Sequence, residues 1–523
     1  MRVMMAAAAL MLCLIPGLAS AAWLEASSDH FVIYANDSER DITRFAQQLE
    51  RYHAGMASVL GVDIVAPSPS NRVTVYVVRN DRAVRQVYGG NNKYLGGFYV
   101  PHAGGSIAVV PAVQTGNGPV TLSMLVLLHE YAHHFMISSN AAAMPRWLSE
   151  GSAEFFASSG FDPDGSIWLG RPAQHRAGEL YLAKDVKVAD LLDPTQYDAR
   201  PHTTYDAFYG KSWLLYHYLT FEPARKGQLR RYVQLLQAGE SQRDAGLHAF
   251  GDFAVLEKDV ERYLARPKMS ALKLQPQLLH VGPVRVRAVS AGEAAVIPSR
   301  LRSKRGISTT EEAAEVLADT RKVAAQYPDD PAVLSQLAEA EYDGGHDKEA
   351  IAAADAALAR DPKQANAYVQ KGLALFREAN AADADSKAAA FKAARRPFIA
   401  LNAMENDHPI PLIYFYRSFA EQGIKPPSLA VDGLIRAVQL APFDMGLRLM
   451  LGHVLIRQGR QDEARIALAP VAYNPHDSEL AGRARQLLER MDKGQAGKRA
   501  NLDDADSDEP APAAPASAPA QTQ

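Results

Sequence analysis

Apolar residues recur along the first half of the chain in two periods, one typical of strands and one typical of helices. Two segments rich in β-branched and aromatic residues predict strands, at 30–35 and 72–78. Between them, residues 41–60 carry apolar positions at helical spacing, and Gly61 predicts the end of that helix. This mixture of strands and helices predicts one α/β (α+β) unit over residues 22–265.

The second half of the chain has a different pattern. From residue 311 it is rich in Ala, Leu, Glu and Arg at helical spacing, and a 34-residue repeat appears. The first repeat positions are Leu334, Leu337, Ala338, Gly345, Ala350, Ala357, Pro362, Tyr368 and Gly372. Later positions are Ala430, Ala437, Pro442, Leu451, Gly452, Gly459 and Ala464. This spacing resembles that of tetratricopeptide repeats, and it predicts an all-α solenoid of about four helix pairs over 311–493, in which the repeat pattern is irregular at 380–427. Such a solenoid has a concave face suited to a protein or peptide segment, whereas the alternative is a plain helical bundle with no partner.

The chain begins with the features of a secretory signal peptide at 1–21. Arg2 is followed by an apolar run over 4–18 and by the Ala-Ser-Ala cleavage pattern at 19–21. The apolar run is shorter than a membrane anchor needs. We therefore expect export across the inner membrane, with the periplasm as the location. The one cysteine, Cys13, lies in this segment, so the mature protein has neither disulfides nor a cysteine ligand or nucleophile.

Two further regions complete the predicted organisation. Residues 266–310 form a junction with one strand at 284–289 and an exposed basic segment at 300–305. The tail at 494–523 is polar, then acidic, then rich in Pro and Ala, which predicts disorder. No run after the signal peptide is long and apolar enough to span a bilayer. The net charge of −3 gives no reason to expect a nucleic-acid partner.

Candidate chemistry is concentrated in an apolar helix that contains His129-Glu130-Tyr131-Ala132-His133. His129 and His133 are four residues apart, so both imidazoles lie on one face of the helix and can bind one zinc ion. Glu130 follows the first histidine, where its carboxylate can take a proton from a zinc-activated water. A chance occurrence of the HExxH motif is the alternative to a metal site.

A second helix is predicted between Pro145 and Gly160, in Arg-Trp-Leu-Ser-Glu-Gly-Ser-Ala-Glu-Phe-Phe. Glu150 and Glu154 are four residues apart and share a face of this helix. Glu150 can supply the third protein ligand that a catalytic zinc needs. Glu154 can accept a hydrogen bond from a ligand imidazole and set its tautomer. The alternative is a pair of solvated surface glutamates.

HExxH followed by this Trp-Leu-Ser-Glu-Gly-Ser-Ala-Glu segment resembles the gluzincin zinc metallopeptidases, and most closely the bacterial peptidase-MA-like proteins once grouped as a domain of unknown function. The resemblance implies zinc ligands His129, His133 and Glu150, the general base Glu130, and a supporting role for Glu154. It also implies a zincin-type fold for residues 22–265. The gap between His133 and Glu150 is 16 residues (150 − 133 − 1), shorter than in thermolysin, which leaves Glu154 as the alternative ligand.

The order of predicted strands before the HExxH helix is also similar to that in gluzincins. Residues 95–100 and 106–110 predict a hairpin or two short strands. In gluzincins the edge strand lies along the cleft and can pair with an extended peptide, and 96–100 is the candidate for that role, with an ordinary hairpin as the alternative.

A second resemblance to the peptidase-MA-like proteins lies in the aromatic helix that follows, within 205–219. A tyrosine or histidine there could donate to a developing oxyanion. The candidates are Tyr209, then Tyr205 and His217, and the alternative is that they are core aromatics.

Together these features predict a secreted zinc metallopeptidase that hydrolyses peptide bonds with a metal-activated water and binds a protein or peptide through its repeats. Two alternatives remain from the sequence. One is a non-catalytic zinc-binding scaffold that acts through the repeats. The other is an amidase that acts on a cell-wall peptide.

Overall fold

The computed structural model describes residues 23–90, 95–112, 118–139, 144–183, 185–198, 206–474 and 478–494. The predicted signal peptide and the predicted tail beyond Gly494 lie outside these residues. Within them the strands form two sheets. The strands are β1 (Leu24–Ser27), β2 (Phe31–Ala35), β3 (Val73–Val78), β4 (Phe98–Val100), β5 (Ile107–Pro111), β6 (Gly118–Pro119), β7 (Gly160–Phe161), β8 (Ile167–Leu169), β9 (Leu272–Leu274) and β10 (Arg285–Ala288).

The helices lie among these strands in the first half of the described chain, up to Arg305, and form the regular structure of the second half, from Thr310 onwards. In the first half they are α1 (Glu39–Leu60), α2 (Asp81–Tyr88), α3 (Leu122–Ser139), α4 (Arg146–Ala157), α5 (Ala177–Leu182), α6 (Val188–Leu192), α7 (Pro194–Asp198), α8 (Phe208–Phe221), α9 (Gln228–Gln237), α10 (Gln242–Phe250), α11 (Phe253–Leu264) and α12 (Ala291–Arg305). In the second half they are α13 (Thr310–Gln326), α14 (Pro331–Asp343), α15 (Asp347–Arg360), α16 (Ala365–Ala381), α17 (Ala384–Met404), α18 (Pro409–Ala420), α19 (Ser428–Leu440), α20 (Met445–Arg457), α21 (Gln461–Ala472) and α22 (Ser478–Asp492).

The larger sheet is mixed, with the strand order β10-β1-β2-β3-β5-β4. Its centre is parallel, because Ile33 of β2 lies opposite Val75 of β3, and Val75 lies opposite Ala108 of β5. Its outer pairs are antiparallel, and β4 and β5 form a hairpin with β4 at the edge. The predicted strands at 30–35 and 72–78 and the predicted hairpin are confirmed. The smaller sheet is antiparallel, with the order β6-β7-β8-β9.

Both faces of the larger sheet are covered, which explains its nearly continuous apolar strands. On one face α1 and α3 pack against the sheet, and the Tyr52 hydroxyl of α1 donates to the Leu128 carbonyl of α3 at 2.9 Å. On the other face Tyr76 of β3 packs with Val84 of α2 and Ile297 of α12. The HExxH helix is therefore held on one side by the sheet.

The predicted junction contributes to both sheets, since β9 pairs with β8 and β10 pairs with β1. It also supplies α12. The prediction of an exposed basic segment at 300–305 is wrong, because these residues end α12 and none of them is fully exposed. Arg305 is 4% exposed and donates to the carbonyls of Val87 at 3.1 Å and Tyr88 at 2.7 Å. These hydrogen bonds join the end of α12 to the end of α2.

From α13 to α22 each helix contacts the next, as in a stack of helix pairs. α14 begins at Pro331 and α16 at Ala365, so the first repeat is 34 residues (365 − 331), as the sequence predicts. The helices from α14 to α21 form four pairs of a tetratricopeptide-like array, and α13 and α22 flank them. The stretch at 380–427, where the repeat pattern is irregular in the sequence, contains α17 and α18, which continue the array. A Cβ at Gly372 would collide with the Phe398 ring, so this repeat glycine permits close packing of α16 on α17.

The array contacts the first unit directly. The Ser70 hydroxyl donates to Glu405 Oε1 at 2.6 Å, and the Ala103 amide donates to an Asp444 oxygen at 3.3 Å. The Phe443 ring lies 4.6 Å, centroid to centroid, from the His134 ring of α3. The array therefore touches the HExxH helix one residue beyond His133. None of the helices described is long and apolar enough to cross a membrane.

Candidate metal centre

Two neighbouring helices bring three predicted ligands together. α3 carries His129 and His133 on one face, one turn apart, and α4 packs against it with Glu150 on the facing side. Both helices are rich in apolar residues and are largely buried, which fixes their positions. The two histidines are 8% and 7% exposed, and Glu150 is fully buried. A buried carboxylate is costly unless a cation or hydrogen-bond donors surround it.

The three donor atoms form a nearly equilateral triangle. The Nε2 atoms of His129 and His133 lie 3.1 Å apart, and Glu150 Oε2 lies 3.4 Å from each of them. Bonds of about 2.0–2.1 Å from zinc at tetrahedral angles place ligand atoms about 3.3 Å apart. Two imidazoles and one carboxylate are also the donor set of zinc sites that keep one open position. The donor spacing and the donor chemistry thus fit zinc, and no other cluster of this kind lies within the described residues.

Each histidine is also held on the side away from this triangle. Glu154 Oε1 lies 3.3 Å from Nδ1 of His129, and Ser149 Oγ lies 3.2 Å from Nδ1 of His133. An acceptor at Nδ1 places the proton there and leaves the Nε2 lone pair directed at the triangle. Burial acts to lower the pKa of His129, but hydrogen bonding to Glu150 and Glu154 raises it to about 10, so without a cation Nε2 also carries a proton, which a metal ion at the triangle would replace.

Glu154 is the centre of a buried charge network behind His129. His175 Nε2 lies 2.6 Å from its Oε2, and Arg176 donates to its Oε1 at 2.6 Å. Burial acts to raise the pKa of Glu154, but Arg176 together with His129 and His175 holds it well below its usual range. Glu154 is therefore an anion next to Nδ1 of His129, while Glu150 is the carboxylate that completes the triangle.

The network extends to the aromatic helix. Arg176 also donates to Glu179 Oε1 at 2.6 Å, and Glu179 Oε2 accepts from the Gly210 amide at 2.8 Å. These contacts tie α4, α5 and α8 together. The sequence reasoning missed His175, Arg176 and Glu179. They belong to no motif, and the adjacent basic pair His175-Arg176, between β8 and α5, was the only signal.

Glu130 has a different environment from the three ligands. Its side chain is partly exposed, whereas theirs are buried. Burial has the largest effect in raising the pKa of Tyr99 on β4, and the charge of Glu130 adds to it. The Tyr99 hydroxyl in turn lies 2.6 Å from Nδ1 of His134. Glu130 therefore lies on the solvent-accessible side of α3, towards the edge strand β4.

Of the two predicted oxyanion donors among the described residues, Tyr209 is the one that the structure brings near the cluster. Burial raises the pKa of its hydroxyl, and the charge of Glu150 adds to this effect, while the positive charge of Arg146 opposes the rise. His217 is instead a core residue, with Nδ1 2.8 Å from the Tyr263 hydroxyl and Nε2 3.0 Å from a backbone carbonyl. Tyr205 lies outside the described residues.

A close helix crossing sets the distance between the cluster and Tyr209. A Cβ at Gly151 would lie 2.5 Å from the backbone oxygen of Ser212, so α4 and α8 approach at this glycine more closely than a side chain would permit. Glu150 precedes Gly151, and Tyr209 lies nearly one turn before Ser212. The glycine next to the ligand therefore has a packing role that the sequence reasoning did not assign.

Comparison with known proteins adds a family match for this region. The family described as "Protein of unknown function (DUF1570)" matches residues 126–238. The matched range contains the three candidate ligands together with Glu130, Glu154 and Tyr209. It is less than half of the chain. A comparison with curated proteins finds no significant match.

The similar solved structures are helical-repeat and other proteins with low sequence identity. A thermophilic TPR protein of Thermus thermophilus is 19% identical, covers 38% of this chain and 100% of its own, and has a TM-score of 0.33. MamA of Desulfovibrio magneticus is 17% identical over 39% of this chain and 99% of its own, with a TM-score of 0.27. Yeast Tom70 is 14% identical over 70% of this chain and 73% of its own, with a TM-score of 0.27. TM-scores this low carry no argument about function.

Proposed function

We propose that the protein is an exported, periplasmic zinc metallopeptidase that hydrolyses peptide bonds. The observation that carries the proposal is the triangle of His129 Nε2, His133 Nε2 and Glu150 Oε2, whose edges of 3.1–3.4 Å match tetrahedral zinc. The partly exposed carboxylate of Glu130, which follows His129 in the chain, supports hydrolysis, because binding zinc requires no such group.

Each residue then has a chemical role. Zinc held by the three ligands would polarise a scissile carbonyl and lower the pKa of a water molecule toward neutrality. Glu130 accepts a proton from the attacking water and passes it to the leaving amine. Tyr209, whose hydroxyl feels the charge of Glu150, donates to the oxyanion that develops on the carbonyl. Glu154 keeps His129 in the tautomer that binds metal.

The repeat array has a separate part in the proposal, which is to bind a protein or peptide segment on its concave face. An extended substrate could also pair with the edge strand β4, which lies on the same side of α3 as Glu130. A scaffold that binds zinc without catalysis is the second candidate. The direct contact of the array with α3 favours this candidate, because zinc bound to α3 would stabilise the helix against which the array packs.

One experiment separates the two candidates. The full-length protein and its Glu130→Gln variant are purified, analysed for zinc by mass spectrometry, and incubated with a peptide library. We expect one zinc per chain in both, cleavage by the wild type, and a loss of at least about 100-fold in turnover in the variant, because glutamine cannot accept the proton.

Glu240→Gln is the matched control, since Glu240 pairs with the exposed His248 far from the cluster in the chain. This variant should cleave like the wild type. Stoichiometric zinc without cleavage of any peptide would favour the scaffold. Equal turnover in Glu130→Gln and wild type would remove Glu130 from the mechanism.

A further inference from the structure

Arg146 lies beside the candidate metal centre but belongs neither to the ligand set nor to the network around Glu154. It is the first residue of α4, four residues before Glu150, so the two side chains share a face of the helix. Its guanidinium carbon lies 4.3 Å from the ring centroid of Phe208 and 5.6 Å from that of Tyr197. Aromatic rings thus hold the plane of the guanidinium, while the donors at its edge remain available for hydrogen bonds.

The partners of Arg146 do not include a carboxylate at ion-pair distance within the described part of the chain. Its charge acts on Tyr209 and Glu150, and its Nε atom is buried with no acceptor within that part of the chain. Arg176, whose guanidinium carbon lies 4.9 Å from the Tyr209 ring centroid, contrasts with it, because two glutamates neutralise that guanidinium. A partly buried arginine whose Nε has no acceptor carries a desolvation cost.

The nearest acidic group does not remove this imbalance. Glu150 lies one turn along the same face of α4, and the guanidinium itself stays protonated in proteins. Glu150 is the proposed zinc ligand, and its charge would be balanced by the metal. Arg146 therefore keeps a positive charge one helical turn from Glu150, with a buried Nε donor that has no acceptor among the described residues.

We propose that Arg146 binds a carboxylate of the substrate, which makes the site selective for peptides with a carboxylate next to the scissile bond. The proposal rests on the proposed function and extends it to a substrate class. A carboxylate matches the planar fork of a guanidinium and forms two charge-assisted hydrogen bonds with it. The C-terminal carboxylate of a peptide and the side chain of Asp or Glu present the same chemistry.

Binding of short peptides tests the proposal without relying on turnover. The probes are N-acetyl-tri-alanine with a free carboxylate, its C-terminal amide, and amidated peptides of the same length with Glu or Gln at the last position. Binding to zinc-loaded, full-length Glu130→Gln protein is measured by calorimetry. We expect the carboxylate peptide to bind at least about 30-fold more tightly than its amide. Tight binding of the amidated Glu peptide would identify a side-chain carboxylate as the ligand, and its failure to bind would identify the C-terminus.

Adding Arg146→Gln to the Glu130→Gln protein should weaken binding of the carboxylate peptide by at least about 30-fold and leave binding of the amide peptide unchanged. The zinc content should not change. Arg146→Lys keeps the charge but loses the fork, so it should restore part of the affinity, and it serves if the glutamine variant does not fold. Arg225→Gln is the control, because Arg225 also lies over a tyrosine ring, at 5.7 Å from Tyr218, but is paired with Asp259 at 2.7 Å. It should bind both peptides like the parent protein.

Two outcomes would overturn the proposal. One is equal affinity of the parent protein for carboxylate and amide peptides, or no binding of either. The other is a loss in Arg146→Gln that is the same for both peptides or that follows loss of zinc, which would leave Arg146 only a support for Tyr209. Selective binding of the carboxylate peptide without cleavage by the wild type would contradict the peptidase proposal and leave the role of Arg146 intact. Cleavage at the same rate with and without the substrate carboxylate would contradict the role of Arg146 and leave the peptidase proposal intact.

Discussion

Glu150 and Glu154, one turn apart on α4, contact opposite nitrogens of the same imidazole, that of His129. Glu150 Oε2 lies 3.4 Å from Nε2, and Glu154 Oε1 lies 3.3 Å from Nδ1. Only the first also approaches His133, at 3.4 Å. The geometry thus separates a ligand position from a supporting position, although the two residues are chemically identical.

The first prediction follows from this separation. Glu150→Ala should lose tight zinc binding, because two ligands remain. Glu154→Ala should keep zinc with an affinity reduced by about 10- to 100-fold, as for other residues that orient a ligand. Competition with a chelator of known affinity measures both. The reverse order of the two variants would show that Glu154 is the ligand.

The second prediction concerns the histidines. His129→Ala and His133→Ala should each abolish stoichiometric zinc, because neither leaves the three protein ligands that a catalytic site needs. Metal analysis of the purified variants is the measurement. His248→Ala is the control, since its ring pairs with Glu240 at the surface and should not affect the metal. One zinc per chain in either ligand variant would contradict the assignment.

The third prediction tests the close crossing of α4 and α8. Gly151→Ala should destabilise the protein by about 1–3 kcal/mol, because the added methyl overlaps the Ser212 backbone and forces the helices apart. Weaker zinc binding should accompany the loss. Urea unfolding gives the free energy. Gly482→Ala in α22 is the matched control, because its Cβ has open space and alanine favours a helix. Equal stability of the two variants would argue against the crossing.

The fourth prediction concerns the contact between Phe443 and His134. Phe443 is 5% exposed, so Phe443→Ala should cost about 3–5 kcal/mol of unfolding free energy. Zinc content should not change, because the ligands and their supporting contacts lie within the first unit. Thermal unfolding and metal analysis report the two quantities. Leu429→Ala, at a side chain that is 69% exposed, should change neither. An unaltered stability in Phe443→Ala would mean that the array does not pack on α3 in solution.

Features that depend on neighbours along the chain were predictable from the sequence. The spacing of His129 and His133 places them on one helix face in any fold that keeps the helix, because the helical period alone determines it. The same local rule applies to Glu150 and Glu154. The strands at 30–35 and 72–78, the hairpin and the 34-residue repeat also followed from periodicity.

Features that depend on contacts between distant segments were decided by the tertiary structure. His175 and Arg176 reach Glu154 only because the chain returns to α4 after the second sheet. The basic end of α12 is covered because Arg305 caps carbonyls more than 200 residues earlier in the chain. Sequence pattern reports which residues prefer burial, but it does not report which partner satisfies a buried charge. That is why the donor spacing that fits zinc, the charge network behind it, and the position of the Arg146 guanidinium against Phe208 and Tyr197 required the folded chain.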